Sequence, residues 1–217
     1  MKYIITCGGN YRKWKVPRQL LLFMGEPIVA RTIRLLRENG VDDIAISSNL
    51  PGFDGFGVPV LKHANSYDAN AYNDSRGDWC DVFFPTDVPT CYLFGDVVFS
   101  PAAIRKIVQT QTSDIIFFGS KPPFGQGYPK PWIEPFAFKV VDTDHLKCAV
   151  QDVKRLDRDG KFNRRPIAWE TWNVINRGPD GDVNTIDYGS YETINDWTCD
   201  IDKPDEIPIM EQIARNA

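Results

Sequence analysis

This sequence predicts an α/β architecture, and three observations lead to it. Short apolar runs alternate along the chain with helical patterns, as helices layered on a sheet require. The first run, Tyr3–Thr6, feeds directly into Cys7-Gly8-Gly9, and a later one, Cys91–Phe94, stops abruptly at Gly95-Asp96. The 217 residues, 42% of them hydrophobic, supply a core of ordinary globular make-up.

The elements follow in order. Tyr3–Thr6 is the first strand, buried on both faces. Pro27 opens a helix at the position where its missing N–H costs nothing; Ile28, Ile33 and Leu36 fall near one face, and Asn39-Gly40 ends it. Asp43–Ser47 is the second strand and Val58–Leu61 a shorter third, while the polar stretch from Asn65 to Asp78 reads as a loop. Cys91–Phe94 is a central strand, Pro101–Gln109 a helix and Asp114–Phe118 a strand. Five prolines between Pro122 and Pro135 mark a turn-rich connection, after which Phe136, Phe138 and Val140 alternate as in a strand. Asp142–Tyr191 is less regular, with a helix expected around Ile167–Ile175, and a short helix follows Pro204.

Composition narrows the function classes. With 25 Lys and Arg against 29 Asp and Glu, the net charge of -4 argues against a basic surface for nucleic acid or anionic membrane. No segment approaches the roughly 18 to 20 apolar residues of a membrane span. Five widely spaced cysteines without a C-x-x-C pair predict reduced thiols in a cytoplasmic protein, and the two histidines exclude a histidine-rich metal site.

Three segments carry candidate chemistry. In CGGNYRKWKVPRQLLL, Cys7 to Leu22, a strand feeds a glycine pair whose backbone N–H groups can approach phosphates, and Arg12, Lys13, Lys15 and Arg18 supply charge to match a triphosphate. Asp96 lies beyond the carboxyl end of a strand, where α/β sheets gather ligands, and is placed to hold a hard divalent cation or to cap the next turn. Asp200-Ile201-Asp202, if extended, turns two carboxylates to one side; alternatively Asp202 caps the helix after Pro204.

These residues together resemble the nucleotidyltransferase superfamily with a GT-A-like fold, which includes sugar-1-phosphate nucleotidyltransferases and CTP:phosphocholine cytidylyltransferases. CGGNYRKWKVPRQLL followed by G-x-P-I is similar to the family's N-terminal signature, VARTIRLLRENGVDDIAIS to its next helix and strand, Leu93–Val97 to its metal-binding G-D, and WTCDIDKPDE to its closing segment. The resemblance is strong at both ends and weak from about Gly119 to Tyr191. It implies a Rossmann-like mixed sheet in one domain over 1–217, with an NTP-binding half (1–118), an acceptor part (119–191) and a closing metal-binding strand end and helix (192–217). It further implies that Gly8, Gly9 and Asn10 contact the nucleotide, that Arg12, Lys15 and Arg18 neutralise its phosphates, and that Asp96, Asp202 and Asp200 hold Mg²⁺. The chain departs from the pattern at Asn10-Tyr11, where a third glycine is missing, and at Arg18, where the family has lysine.

The expected acceptor residues are Lys130, Trp132, Glu134, Trp169 and Glu170, with Lys130 on the acceptor's phosphate; Trp169 and Trp172, three apart on a helix, equally suit a core. The implied reaction joins an NTP to a phosphorylated small molecule, a sugar phosphate first and phosphocholine second, and releases pyrophosphate. The alternatives are a nucleotide-binding protein without catalysis and a GT-A glycosyltransferase, although D-x-D is missing around Asp96. Neither nucleic acid nor membrane is an expected partner, and a homo-oligomer is compatible with the sequence.

Overall fold

The computed structural model describes residues 1–8, 16–62, 78–85, 87–121, 130 and 132–217. In chain order the strands and helices are β1 (Lys2–Thr6), β2 (Leu22–Phe23), β3 (Glu26–Pro27), α1 (Ile28–Glu38), β4 (Ile44–Ser47), β5 (Val60–Leu61), β6 (Thr90–Phe94), β7 (Val97–Val98), α2 (Pro101–Gln109), β8 (Ile115–Gly119), β9 (Pro135–Val140), α3 (Thr143–Arg158), α4 (Ala168–Arg177), β10 (Glu192–Thr193), β11 (Cys199–Asp200) and α5 (Glu206–Asn216). Among the described residues a seven-stranded sheet runs β10-β8-β9-β6-β1-β4-β5. It is parallel at β1/β4, β1/β6, β4/β5 and β8/β10, and β9 lies antiparallel between β6 and β8. This is the mixed α/β sheet the sequence predicts.

The helices end where local chemistry ends them. Gly40, at φ 77°, donates to the Arg37 carbonyl while Val41 donates to that of Leu36, the paired bonds that close a helix through a left-handed residue. Pro27 lies just outside α1, in the short β2–β3 ribbon, rather than inside its first turn. Ser100 caps α2 by accepting from Ala103 N, with Pro101 as the first helical residue. The sixteen-residue α3 is absent from the sequence expectation, yet Asp142 caps it through Asp144 N and His145 N, and Leu146, Ala149, Val153 and Leu156 form its buried stripe.

One large apolar core spans the sheet, and its centre is aromatic. Register sets Phe117 opposite Phe138, and their rings meet at 4.5 Å between centroids. Trp172 and Trp169 close on Phe117 from α4. A second, smaller cluster joins Phe23, Ile28, Val98, Trp197, Ile201 and Met210. No helix among the described residues is long and apolar enough to cross a membrane.

Topology determines where the site forms. The carboxyl ends of parallel β1 and β6 lie side by side, and the antiparallel β9 begins at that same edge. The residues after β1, those after β6 and those before β9 therefore meet there.

Candidate active site

Beyond β1, the Cys7 amide donates to the Ser47 carbonyl and the Ser48 hydroxyl donates to the Cys7 carbonyl, so the turn toward Gly8 is held from both sides. Beyond β6, Gly95 donates to the Thr6 carbonyl. A Cβ on Gly95 would stand 2.7 Å from both Cys7 Sγ and Thr6 O, so this approach admits only glycine and delivers Asp96 to the neighbouring strand's end. β7 then pairs antiparallel with β11, Val97 opposite Asp200, and Ile201 N donates to Asp96 O. A ribbon of two residues per strand thus brings Asp96 to Asp200 and Asp202, more than a hundred positions apart in sequence.

Arg18 lies at the centre of this group. It opens a 3-10 turn, Arg18–Leu20, directly after Pro17. Its guanidinium pairs with the Asp96 carboxylate through Nη2, while Nη1 reaches Asp202 Oδ1 at 3.1 Å and the Ile201 carbonyl at 2.7 Å. The planar fork suits this bridging of two carboxylates better than a lysine would.

A second cation, Lys130, is fully buried and lies 2.5 Å from Asp202, 3.0 Å from Asp200, 3.3 Å from Glu206 and 3.4 Å from Glu134. Burial opposes its charge, but Asp200, Glu134 and Asp202 more than offset this and raise its pKa. Burial also pushes the Asp200 carboxyl well up, aided by the neighbouring Glu134. Burial acts the same way on Asp202, but the Lys130 and Arg18 contacts outweigh it and hold that carboxylate below its ordinary range. Glu206, at the start of α5, accepts from Asp202 N at 2.7 Å and Lys203 N at 3.1 Å and so fixes the loop carrying Asp202.

These groups border a cavity of about 560 Å³, within the usual range for small-molecule sites. Thr6, Gly8, Arg18, Gln19, Asp96, Glu134, Asp200 and Asp202 supply polar lining, and Trp79, Phe94, Trp132, Ile133, Ile167 and Trp169 supply apolar lining. Arg164 and Arg165 border it as well, Arg164 held by Glu170 at 2.6 Å. Neither arginine nor Glu206 is expected from the sequence; the adjacent basic pair Arg164-Arg165 ahead of a helix is the available signal.

The structure therefore brings together Gly8, Arg18, Asp96, Asp200, Asp202, Trp132, Glu134 and Trp169. It separates two others. Lys130 is not among the residues that border the cavity, and Glu134, Asp200, Asp202 and Glu206 surround its ammonium. Glu170 is also outside the lining: it accepts from Ile167 N at 3.0 Å at the start of α4 and pairs with Arg164. Asp202 does not cap α5, whose N-cap position is Asp205. Gly9, Asn10, Arg12 and Lys15 lie outside the described residues.

Among solved structures, the chain is similar over its full length to a protein assigned as a glucose-1-phosphate thymidylyltransferase from Bacillus anthracis, at 17% identity, 96% of that chain and a TM-score of 0.56. It is similar over 98% of its length to the CTP:phosphocholine cytidylyltransferase of Streptococcus pneumoniae, at 16% identity, 98% of that chain and a TM-score of 0.53. The fold is that of the nucleotidyltransferases. No protein-family model and no curated protein sequence matches the chain. The fold-level resemblance read from the two ends of the sequence thus holds across the whole nucleotidyltransferase fold, including the segment 119–191 where the sequence signal is weak.

Within this nucleotidyltransferase fold the donor set fits a hard divalent cation. Five carboxylates (Asp96, Glu134, Asp200, Asp202 and Glu206) face two cations, and oxygen donors are what Mg²⁺ prefers. Donor atoms of Glu134, Cys199 and Asp200 also lie within 4.8 Å of one another, but a thiol is a soft ligand and suits Mg²⁺ poorly.

Proposed function

We propose that the chain is a Mg²⁺-dependent nucleotidyltransferase that transfers the nucleoside monophosphate of an NTP to a phosphorylated small molecule and releases pyrophosphate. The observation that carries this reading is the convergence of Gly8, Arg18, Asp96 and Asp202 on one cavity at the carboxyl ends of β1 and β6. We further propose that the whole chain, 1–217, works as one catalytic domain, and that its cysteines, none of them in a disulfide, serve in a reducing cytoplasm.

An acceptor phosphate is already an anion, so no general base is needed; its oxygen attacks the α-phosphorus as the bond to the bridging α–β oxygen breaks. Asp96 and Asp202, with Asp200 beside them, would hold Mg²⁺, which would supply charge neutralisation at the α-phosphate and the departing pyrophosphate. Arg18, which pairs with Asp96 and Asp202 here, would place its guanidinium on the phosphate oxygens. Positioning and charge carry the remaining barrier. In the segment 9–15, Gly9 and Asn10 are proposed to contact the nucleotide and Arg12 and Lys15 to neutralise its phosphates.

A sugar phosphate suits the cavity better than phosphocholine. Arg164 and Arg165 can pair with a phosphate but would repel a quaternary ammonium, while Trp132 and Trp169 contribute aromatic lining and Glu134 an acceptor for hydroxyls. One observation favours non-catalytic nucleotide binding instead: Arg18 is already engaged by two carboxylates.

The test is pyrophosphate release with Mg²⁺, each common NTP and a panel of sugar 1-phosphates with phosphocholine, alongside Asp96→Asn. Turnover by one pair, abolished in a folded Asp96→Asn protein, supports the reading. NTP binding without pyrophosphate from any pair moves it to the non-catalytic alternative.

A further inference from the structure

Glu170 is unexplained by the reaction: it stands outside the cavity lining, yet its side chain is only 6% exposed, where a carboxylate is costly. Its two oxygens have separate partners. Oε2 accepts from Ile167 N at 3.0 Å and so caps the start of α4. Oε1 accepts from Arg164 Nε at 2.6 Å, a bond that capping does not require.

Arg164 is the opposite case, 57% exposed and at the cavity border. A guanidinium carries five N–H groups. Pairing through Nε uses one and leaves the four on the two Nη nitrogens, which meet no partner among the described residues. The backbone beneath is held as well: Asn184 accepts from Asn163 N at 2.8 Å and donates to the Lys161 carbonyl at 3.0 Å, while Lys161 N donates to Leu156 in the last turn of α3. An arginine on an unsupported loop loses side-chain freedom each time it meets an anion, and here a buried carboxylate and a pinned backbone restrict it beforehand.

We propose that Glu170 is a positioning residue for the acceptor's phosphate: from behind the cavity wall it holds the Arg164 guanidinium by Nε and keeps the Nη groups available at the cavity edge. This rests on the nucleotidyltransferase reading above, in which Arg164 takes a phosphate. Glutamine at position 170 keeps the size but has one oxygen for two N–H donors, so its own NH₂ faces one of them and the clamp opens.

Steady-state kinetics of the full chain decide it, with the NTP and sugar 1-phosphate that release pyrophosphate in the assay above. Glu170→Gln is expected to raise KM for the sugar 1-phosphate about tenfold, with kcat and the KM for NTP within about twofold of wild type. In an Arg164→Gln background it is expected to add nothing, because the glutamate acts only through the arginine. A merely structural glutamate would lower the urea midpoint without this split. An unchanged acceptor KM on folded Glu170→Gln, effects of the two substitutions that multiply, or a loss shared equally by kcat and both KM values overturns the proposal and leaves the reaction standing. Should Glu170→Gln not fold, Arg164→Lys decides: lysine keeps the charge but cannot pair through one nitrogen and present two others, so it is expected to raise the acceptor KM as Arg164→Gln does. A wild-type acceptor KM in Arg164→Lys overturns the proposal. Wild-type protein that turns over no pair overturns the reading and the proposal together.

Discussion

Arg18 owes its position to the residue before it. Pro17, at φ -51°, sets the chain entering the 3-10 turn, and the guanidinium then reaches Asp96 and an aspartate 184 positions further on. Arg18→Met keeps the apolar stem and deletes the charge, leaving two close carboxylates unpaired. Breaking a buried pair costs about 3–5 kcal/mol, and the partial exposure of Asp202 places this case near about 3 kcal/mol. Urea denaturation should show that loss in metal-free buffer and a smaller one with Mg²⁺, which supplies the missing positive charge. Equal stability of variant and wild type would contradict the clamp. At this scale the sequence draws attention to Arg18 but not to its partners: clustered cations predict phosphate contact, whereas pairing with Asp96 and Asp202 depends on a ribbon that only the folded chain creates. Asp96 stands out in the sequence by its place beyond a strand's carboxyl end, and Asp200 and Asp202 by their spacing of two; all three border the cavity.

Among the elements, α2 was legible to the residue and α3 was not expected at all. Ser100-Pro101 is a local signal, a cap followed by a residue pre-set for the first turn. In α3 the buried stripe of Leu146, Ala149, Val153 and Leu156 includes a small alanine and is interrupted by Lys, Asp and Arg, so its contrast in the sequence is low. The far end of α2 depends on a tertiary contact. Lys139, buried in β9, donates from Nζ to the carbonyls of Ile107 (2.9 Å), Val108 (3.0 Å) and Thr110 (2.6 Å), satisfying the groups a helix leaves unpaired at its C-terminus. Lys139→Met would strand those carbonyls at a cost of about 1–3 kcal/mol, read as a lowered urea midpoint with an unchanged slope. A variant as stable as wild type would show that the lysine does not hold the helix end.

At the scale of the molecule, β9 matters most for function: because it runs against its neighbours, Glu134 arrives at the edge where β1 and β6 end. The sequence shows β9 as a strand by alternation, but its direction is a property of the sheet and has no local signal. Packing of this sheet also sets thiol reactivity. Burial pushes Cys80 and Cys91 up to about 12 and Cys7 well above its ordinary value, Cys199 is buried, and Cys148 is exposed. Native protein at pH 8 is therefore expected to react with a thiol-specific chromogenic disulfide at one cysteine, and all five should react once denaturant is added. Fast reaction of more than one in the native state would mean a core looser than described.

The central claim is transfer of the α-phosphoryl group with its nucleoside, and the most direct measurement follows that phosphorus. Wild-type protein would be supplied with Mg²⁺, a phosphorylated acceptor and an NTP labelled at the α-phosphate. Label moving into an acceptor-linked product, one for each pyrophosphate released and dependent on Mg²⁺, is the predicted result. Label recovered only as unreacted NTP or as free nucleoside monophosphate, with every acceptor and base supplied, would contradict it.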